Sequence, residues 1–183
     1  MSRELYGVDR LHESIHHSYI HVYHRNVNPS GAGSLGNDDT MAPQWYVLAM
    51  SKTGRCLCGK ITYELTGDPI ATAVCHCSHC QRQGGSAFSV NVIAHESQLK
   101  VSGDLATYNE MGEKGDQVYV RRRFCSSCGS PIVSEIALSE GVIALKVGTL
   151  DDTSDIVPNV EAWCVDRQPW VKLPEMPITL ERE

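Results

Sequence analysis

The segment that decides the fold is Cys56-Leu57-Cys58-Gly59, which has a counterpart, Cys125-Ser126-Ser127-Cys128-Gly129, in the second half of the chain. Each segment holds two closely spaced thiols and ends in a glycine, which allows a tight turn with backbone N–H groups near the sulfur. We expect the first two cysteines to share one face of a strand, because side chains at i and i+2 point the same way. We expect the second two to lie in a tight turn.

Paired doublets of this kind are typical of a structural zinc site with four thiolate ligands. The alternative is that the four are ordinary buried cysteines. A shared zinc ion would link an early strand to a late one, and its binding free energy would become folding free energy.

A third cluster, Cys75-His76-Cys77-Ser78-His79-Cys80, holds three thiols in one short segment. A zinc ion with four protein ligands stabilises a fold, whereas one with three ligands keeps a position free for water or substrate. Three residues are candidates for a fourth ligand. In an extended segment His76 alternates with the cysteines and should point away, whereas His79 either closes the site or acts as a nearby base. Cys164 is the leftover thiol, and a lone cysteine in a predicted strand is more often a small buried hydrophobe.

The charge of three thiolates indicates what such an open site does. They surround a divalent ion with three negative charges, so the ion is a weaker Lewis acid than one held by neutral imidazoles. A substrate thiol, however, is deprotonated on coordination, and the thiolate is the nucleophilic form of sulfur. The pattern therefore favours joining a substrate sulfur to an electrophilic carbon, or releasing it.

Composition limits the remaining classes of protein. A chain of 183 residues suits one domain, with or without an appendage. Close cysteine doublets favour reduced, metal-binding thiols over disulfides, and no secretory leader or membrane-length apolar run is evident, so we expect a cytoplasmic protein. The formal net charge of -6 argues against nucleic-acid binding. The basic run Arg121-Arg122-Arg123 is interpreted as alternate arginines of a strand that point into solvent.

The first 49 residues differ from the rest. They contain no cysteine and no lysine but hold five of the eight histidines. Residues 26–43 are dense in Asn, Pro, Ser and Gly, a composition typical of linkers or disorder. We interpret residues 1–49 as a disordered or non-native N-terminal extension, translated from an upstream start codon, and residues 50–183 as the domain.

From Gly54 onward the pattern is that of a mainly β protein, with short strands separated by glycine turns and no long helical periodicity. We expect antiparallel sheets folded around the metals. The predicted strands are Ile61–Leu65, Ile70–Val74, Phe88–Ile93, Val118–Phe124, Ile132–Ile136, Val142–Val147 and Glu161–Val165.

The three cysteine motifs resemble those of the glutathione-dependent formaldehyde-activating enzyme (Gfa) family, also called the CENP-V/GFA domain. The resemblance runs from Lys52 to Leu173. It includes further motifs, namely Gly84-Gly85-Ser86-Ala87-Phe88, Ser130-Pro131, Gly148-Thr149-Leu150-Asp151-Asp152 and Pro169-Trp170. It implies an Mss4-like fold of antiparallel sheets with two zinc ions per chain. By position, Cys56, Cys58, Cys125 and Cys128 match the structural ligands, and Cys75, Cys77 and Cys80 match the catalytic ones.

The activity that this resemblance implies is a carbon–sulfur lyase, which reversibly joins glutathione, or another thiol, and formaldehyde to S-hydroxymethylglutathione. Arg82 would then be placed to pair with a glutathione carboxylate, or it is a solvated surface arginine. Two alternatives of other classes stay open: a non-catalytic, zinc-stabilised scaffold or chaperone-like binding module, and an iron or redox centre.

Aromatic residues are interpreted as core rather than as a ligand platform; they are Phe88, Phe124, Trp163 and Trp170. The pair Asp151-Asp152 is interpreted mainly as a turn.

Overall fold

The structure is a computed structural model that describes residues 51–111, 115, 117–137 and 139–182. The predictions about residues 1–49 and about a boundary at Met50 lie outside the described residues. Within the described ranges, no helix combines the length and the apolar character that crossing a membrane requires.

The described chain is built mainly from strands, with one short α-helix. The strands are β1 (Ser51–Arg55), β2 (Thr62–Thr66), β3 (Ala71–Cys75), β4 (Ser89–His95), β5 (Leu99–Ser102), β6 (Leu105–Met111), β7 (Val118–Cys125), β8 (Pro131–Ile136), β9 (Val142–Lys146), β10 (Val160–Ala162) and β11 (Ile178–Leu180). The helix α1 is Ser78–Gly84, and 3-10 turns cover Glu96–Gln98, Val147–Thr149 and Cys164–Asp166. The prediction of a mainly β single domain is confirmed.

The strands form two sheets. The smaller has three antiparallel strands in the order β1-β2-β5, and the larger has eight in the order β11-β10-β3-β4-β9-β8-β7-β6. The prediction of purely antiparallel sheets is wrong at one edge, because β10 runs parallel to both β3 and β11. Parallel neighbours need long connections, and β10 follows β3 only after most of the large sheet has been built.

An apolar core lies between the two sheets. One continuous cluster of buried side chains joins residues of the small sheet, such as Tyr63 and Leu65, to residues of the large sheet, such as Val92, Ile143 and Leu145. On β2 the buried side chains alternate with exposed ones, because one face of the small sheet covers the core and the other meets water.

Gly54 allows the two sheets to approach closely. A Cβ atom there would lie 2.2 Å from the ring of Tyr63 and 2.5 Å from the carbonyl oxygen of Thr149. The Tyr63 hydroxyl shares a hydrogen bond of 2.9 Å with the Thr149 hydroxyl. The absent side chain therefore lets the Tyr63 ring pass Gly54 and reach the Val147–Thr149 turn that follows β9.

All seven predicted strands are present, and no predicted end differs from the observed one by more than three residues. The strand predicted over Glu161–Val165 ends early, at Ala162, because Trp163 has a φ of 57° and turns the chain into a 3-10 segment. Strands β1, β5, β6 and β11 and the helix α1 were not predicted.

Candidate metal centres

The two cysteine doublets meet at one point of the structure. The four Sγ atoms of Cys56, Cys58, Cys125 and Cys128 lie within 4.8 Å of one another. Two of the separations are 3.5 Å, between Cys56 and Cys58, and 3.8 Å, between Cys58 and Cys125.

The first doublet lies in a turn and not on a strand, which corrects the sequence prediction. Strand β1 ends at Arg55, and the N–H of Gly59 donates to the carbonyl of Cys56 at 3.0 Å. Gly59 has a φ of 75°, a conformation that glycine adopts at little cost. The resulting turn folds back so that the N–H of Ile61 donates to the sulfur of Cys56 at 3.3 Å.

The second doublet also lies in a tight glycine turn, as predicted. Gly129 also has a φ of 75°, and its N–H donates to the carbonyl of Cys125 at 2.8 Å. The residue after Gly129 is Ser130, and hydrogen bonding from its side chain and backbone lowers the pKa of Cys128 to about 5. Both glycine turns thus place polar donors around sulfur atoms.

The four-thiol cluster fits zinc. A tetrahedral ion with metal–sulfur bonds of about 2.3 Å separates its ligand sulfurs by about 3.8 Å. The separations of 3.5 and 3.8 Å match that value. Four thiolates without an oxygen donor are also the ligand set that soft or borderline metals prefer.

The three thiols of the third cluster lie where β3 passes into α1. Cys75 ends β3 and Cys77 caps α1, where its sulfur accepts the N–H of Cys80 at 3.3 Å. The three Sγ atoms lie within 4.8 Å of one another. Hydrogen bonds from Cys75 and Cys77 lower the pKa of Cys80, and the charges of Lys146 and Arg122 lower it further. Cys80 therefore favours the thiolate form, whereas hydrogen bonds to Cys77 and Cys80 raise the pKa of Cys75. The three thiols together can hold a metal ion.

None of the three candidates for a fourth ligand joins the triplet among the described residues. His76 is fully buried and directed elsewhere: its Nε2 shares a hydrogen bond of 2.9 Å with Glu161, and its ring meets Phe88 edge-on. Cys164 donates to the carbonyl of Glu161 at 3.7 Å. His79 lies 2.5 Å from Glu110 through its Nδ1 atom.

Arg122 is buried beside the triplet, which corrects the interpretation of the arginine run. Its Nε donates to Glu110 at 2.5 Å, and its Nη1 lies 3.9 Å from the sulfur of Cys80. Arg121 is exposed, and Arg123 pairs with Glu135 at 2.5 Å. Consecutive strand residues face opposite sides, so one arginine of the three must point to the face that α1 covers.

Lys146 is a second buried cation that the sequence did not reveal. Its Nζ donates to Asn91 at 2.9 Å and to Ser89 at 3.1 Å. The available signal is its position: it is the last residue of an otherwise apolar strand, Val142–Lys146. A lysine buried in such a strand needs a specific polar environment.

The other predicted residues have simpler surroundings. Arg82 is exposed on the last turn of α1. Trp170 is 72% exposed, so its assignment to the core is wrong. Asp151 pairs with Arg55 at 3.0 Å beyond the Val147–Thr149 turn, and Asp152 accepts the N–H of Ser154, as expected of turn residues.

The fold and the two clusters define a β-rich protein with two groups of cysteines that could hold metal ions. The family model described as "Glutathione-dependent formaldehyde-activating enzyme" matches residues 51–166, and the chain belongs to that family. Among solved structures, the chain is similar to the crystal structure of a Rhodobacter sphaeroides protein, with 22% sequence identity and a TM-score of 0.45. The match covers 56% of this chain and 91% of the Rhodobacter sphaeroides chain. No curated protein matches the chain.

Proposed function

We propose that this protein is a zinc-dependent carbon–sulfur lyase that reversibly joins glutathione and formaldehyde to S-hydroxymethylglutathione. Its membership of a family described as formaldehyde-activating and glutathione-dependent supports this proposal. The observation that carries the proposal is the triplet of Cys75, Cys77 and Cys80, a three-thiol cluster to which the described residues add no fourth ligand. We also propose that the two sheets adopt an Mss4-like fold.

The triplet would hold the catalytic zinc. A zinc ion bound there supplies a position at which a substrate thiol is kept as thiolate. The protein's part is to fix the three sulfurs on the end of β3 and the start of α1, and to place positive charge beside them. Arg122 and Lys146 oppose the negative charge that collects when a further thiolate arrives.

The four-thiol cluster would hold the structural zinc. Its cysteines come from two glycine turns, one after β1 and one after β7. A closed set of four protein ligands leaves no position for a substrate. In this role the cluster anchors the small sheet to the large one.

Arg82 is proposed to bind a glutathione carboxylate. It is exposed on α1, the helix that carries Cys80, and a guanidinium suits a carboxylate. Arg82→Gln should raise the KM for glutathione several-fold with kcat unchanged, because it removes uniform binding. The matched control is Arg121→Gln, which changes another exposed arginine. An unchanged KM would exclude this role for Arg82.

A scaffold without catalysis would need only the four-thiol cluster. It leaves the triplet and the two buried cations beside it without a role, and for that reason we favour the lyase. All eight cysteines are free thiols, which suits a reducing compartment such as the cytoplasm.

The proposal is tested by zinc stoichiometry. We expect two zinc ions per chain in the wild type, one in Cys77→Ser and two in the matched control Cys164→Ser, whose thiol lies outside both clusters. A wild type with a single zinc ion, and a Cys75→Ser variant with unchanged metal content and stability, would exclude the lyase. Visible absorption of the purified protein would instead indicate iron.

A further inference from the structure

One face of the large sheet carries polar side chains beneath the triplet. Cys75 on β3 lies directly opposite Ser89 on β4, and Asn91, two residues along β4, lies opposite Lys146 on β9. Residues that are opposite or two apart share a face, and directly opposite Cβ atoms lie about 5 Å apart. Lys146 therefore lies two strands away from Cys75 on the same face of the sheet, with Ser89 and Asn91 of β4 between them.

The ammonium group of Lys146 has one donor to spare. It carries three N–H bonds, and two of them go to Ser89 and Asn91. These two acceptors also hold each other, because the Ser89 hydroxyl donates to the Asn91 side-chain oxygen at 2.8 Å. Among the described residues no acceptor is found for the third N–H.

Lys146 also differs from Arg122 in its charge balance. Arg122 has a carboxylate partner, Glu110, at 2.5 Å, whereas within the described ranges no carboxylate pairs with Lys146. Burial lowers the pKa of Lys146, and the negative charge of the triplet thiols, Cys80 first, raises it. A buried cation is costly unless a negative charge lies near it, so its counter-charge is on the triplet side.

The proposed reaction creates negative charge on an oxygen. The thiolate sulfur forms a bond to the carbonyl carbon, and the electron pair of the C=O π bond moves to the oxygen. The thiol has already released its proton to water, and the oxygen now takes one proton back from water. The joining reaction therefore releases no net proton. A fixed N–H donor at the oxygen stabilises this charge.

We propose that Lys146 is a catalytic residue of this lyase and that its third N–H donates to the aldehyde oxygen, and to the hydroxyl oxygen of the adduct in the reverse direction. The inference rests on the proposed function. It assigns to the site a substrate class in which the carbon that joins sulfur also carries an oxygen.

The first test compares rates. Lys146→Met keeps the length and apolar stem of the side chain and removes the donor, Lys146→Arg keeps a charged donor, and Lys100→Met is the control at an exposed lysine of β5. We expect Lys146→Met to slow formaldehyde exchange about 100-fold, while zinc content stays at the wild-type level. Lys146→Arg should recover part of the rate.

The second test needs no turnover. Calorimetry compares S-hydroxymethylglutathione with S-methylglutathione, which lacks the hydroxyl group. The wild type should prefer the hydroxymethyl ligand about tenfold or more, and Lys146→Met should lose that preference. If Lys146→Met does not fold, the same calorimetric comparison is made with Lys146→Arg. The N–H groups of arginine lie at a different position from those of lysine, so this variant should also change the preference for the hydroxymethyl ligand.

Three results would overturn the inference. Wild-type exchange in Lys146→Met would exclude the lysine and leave the lyase standing. A second such result is that Lys146→Met loses zinc and exchange together, that Lys146→Arg restores both, and that neither variant changes the preference for the hydroxymethyl ligand. Lys146 would then only balance the charge of the cluster. Absence of exchange in the wild type would exclude the lyase itself, and the role of Lys146 with it.

Discussion

At the scale of single residues, the site depends on a few buried charges. Glu110 accepts hydrogen bonds from Arg122 and lies against His79, so it connects the sheet to the helix that carries Cys80. The same guanidinium group of Arg122 that donates to Glu110 also lies 3.9 Å from the sulfur of Cys80 through its Nη1 atom. These three groups therefore connect α1, and the triplet with it, to strands β6 and β7.

We predict that Glu110→Gln lowers the free energy of unfolding by about 3 kcal/mol at pH 7, because it leaves the buried Arg122 without its charge partner. Burial alone would raise the pKa of Glu110, but the hydrogen bonds from Arg122 and His79 outweigh it and hold the pKa below the ordinary 4.5. A lowered carboxyl pKa stabilises the fold above pH 4.5, and this contribution is lost as the pH falls through the folded-state value.

Urea unfolding of the wild type and Glu110→Gln checks this prediction. The difference between the two proteins should be constant near neutral pH and should shrink below pH 4.5. Glu64→Gln, at an exposed position of β2, is the control. A difference that does not change with pH would exclude the ion pair as its source.

The grouping of the cysteines into two clusters could be predicted from sequence because ligand spacing is local. The doublets and the triplet each lie within a few residues, and four plus three thiols predict two clusters without any knowledge of the fold. The buried cations could not be predicted in the same way. Arg122 and Lys146 reach the triplet from strands distant in sequence, and only the order of the sheet brings them there.

At the scale of the structural elements, two glycine turns bring the four-thiol cluster together. The sequence predicted a strand for the first doublet because i and i+2 spacing is compatible with one, but a glycine with positive φ makes a turn that satisfies the same spacing. Strands with strong alternation, such as β2, were predicted correctly. The short helix α1 was missed because seven residues give too little periodicity, and its start is fixed by Cys77 rather than by a usual capping residue.

We predict that Gly129→Ala destabilises the protein by about 1 kcal/mol, because a side chain at positive φ is strained. It should also speed the release of zinc to a chelator, since the turn holds Cys125 and Cys128. Gly148→Ala is the matched control, because Gly148 has no positive φ and open space around it. Thermal unfolding and a chelator time course measure both effects. Equal effects in the two variants would contradict the role of the turn.

At the scale of the whole molecule, the two clusters have different relations to the fold. The four-thiol cluster lies beside the core between the two sheets, and Cys56 and Cys125 are themselves part of that core. The triplet lies at the opposite face of the large sheet, where the polar residues Ser89, Asn91 and Lys146 share the face with a smaller apolar cluster around Ala71 and Ala73. The mainly β architecture was predictable from turn signals and alternation, whereas the parallel edge β3-β10-β11 was not, because pairing between distant strands leaves no local signal.

We predict that Cys125→Ser loses its cooperative unfolding transition, whereas Cys77→Ser keeps it. A structural zinc site contributes its binding energy to folding, while the triplet is supported by the β3 and α1 backbone around it. Circular dichroism during thermal unfolding measures the difference. A stable, cooperative Cys125→Ser protein would show that the four-thiol cluster does not hold the fold together.

The central claim is that the triplet performs the carbon–sulfur chemistry, and NMR exchange of formaldehyde with S-hydroxymethylglutathione tests it most directly. The measurement compares the wild type, Cys77→Ser and the control Cys164→Ser at equal concentration. We expect exchange in the wild type and in Cys164→Ser, and its loss in a folded Cys77→Ser protein. Exchange at the wild-type rate in Cys77→Ser would contradict the account.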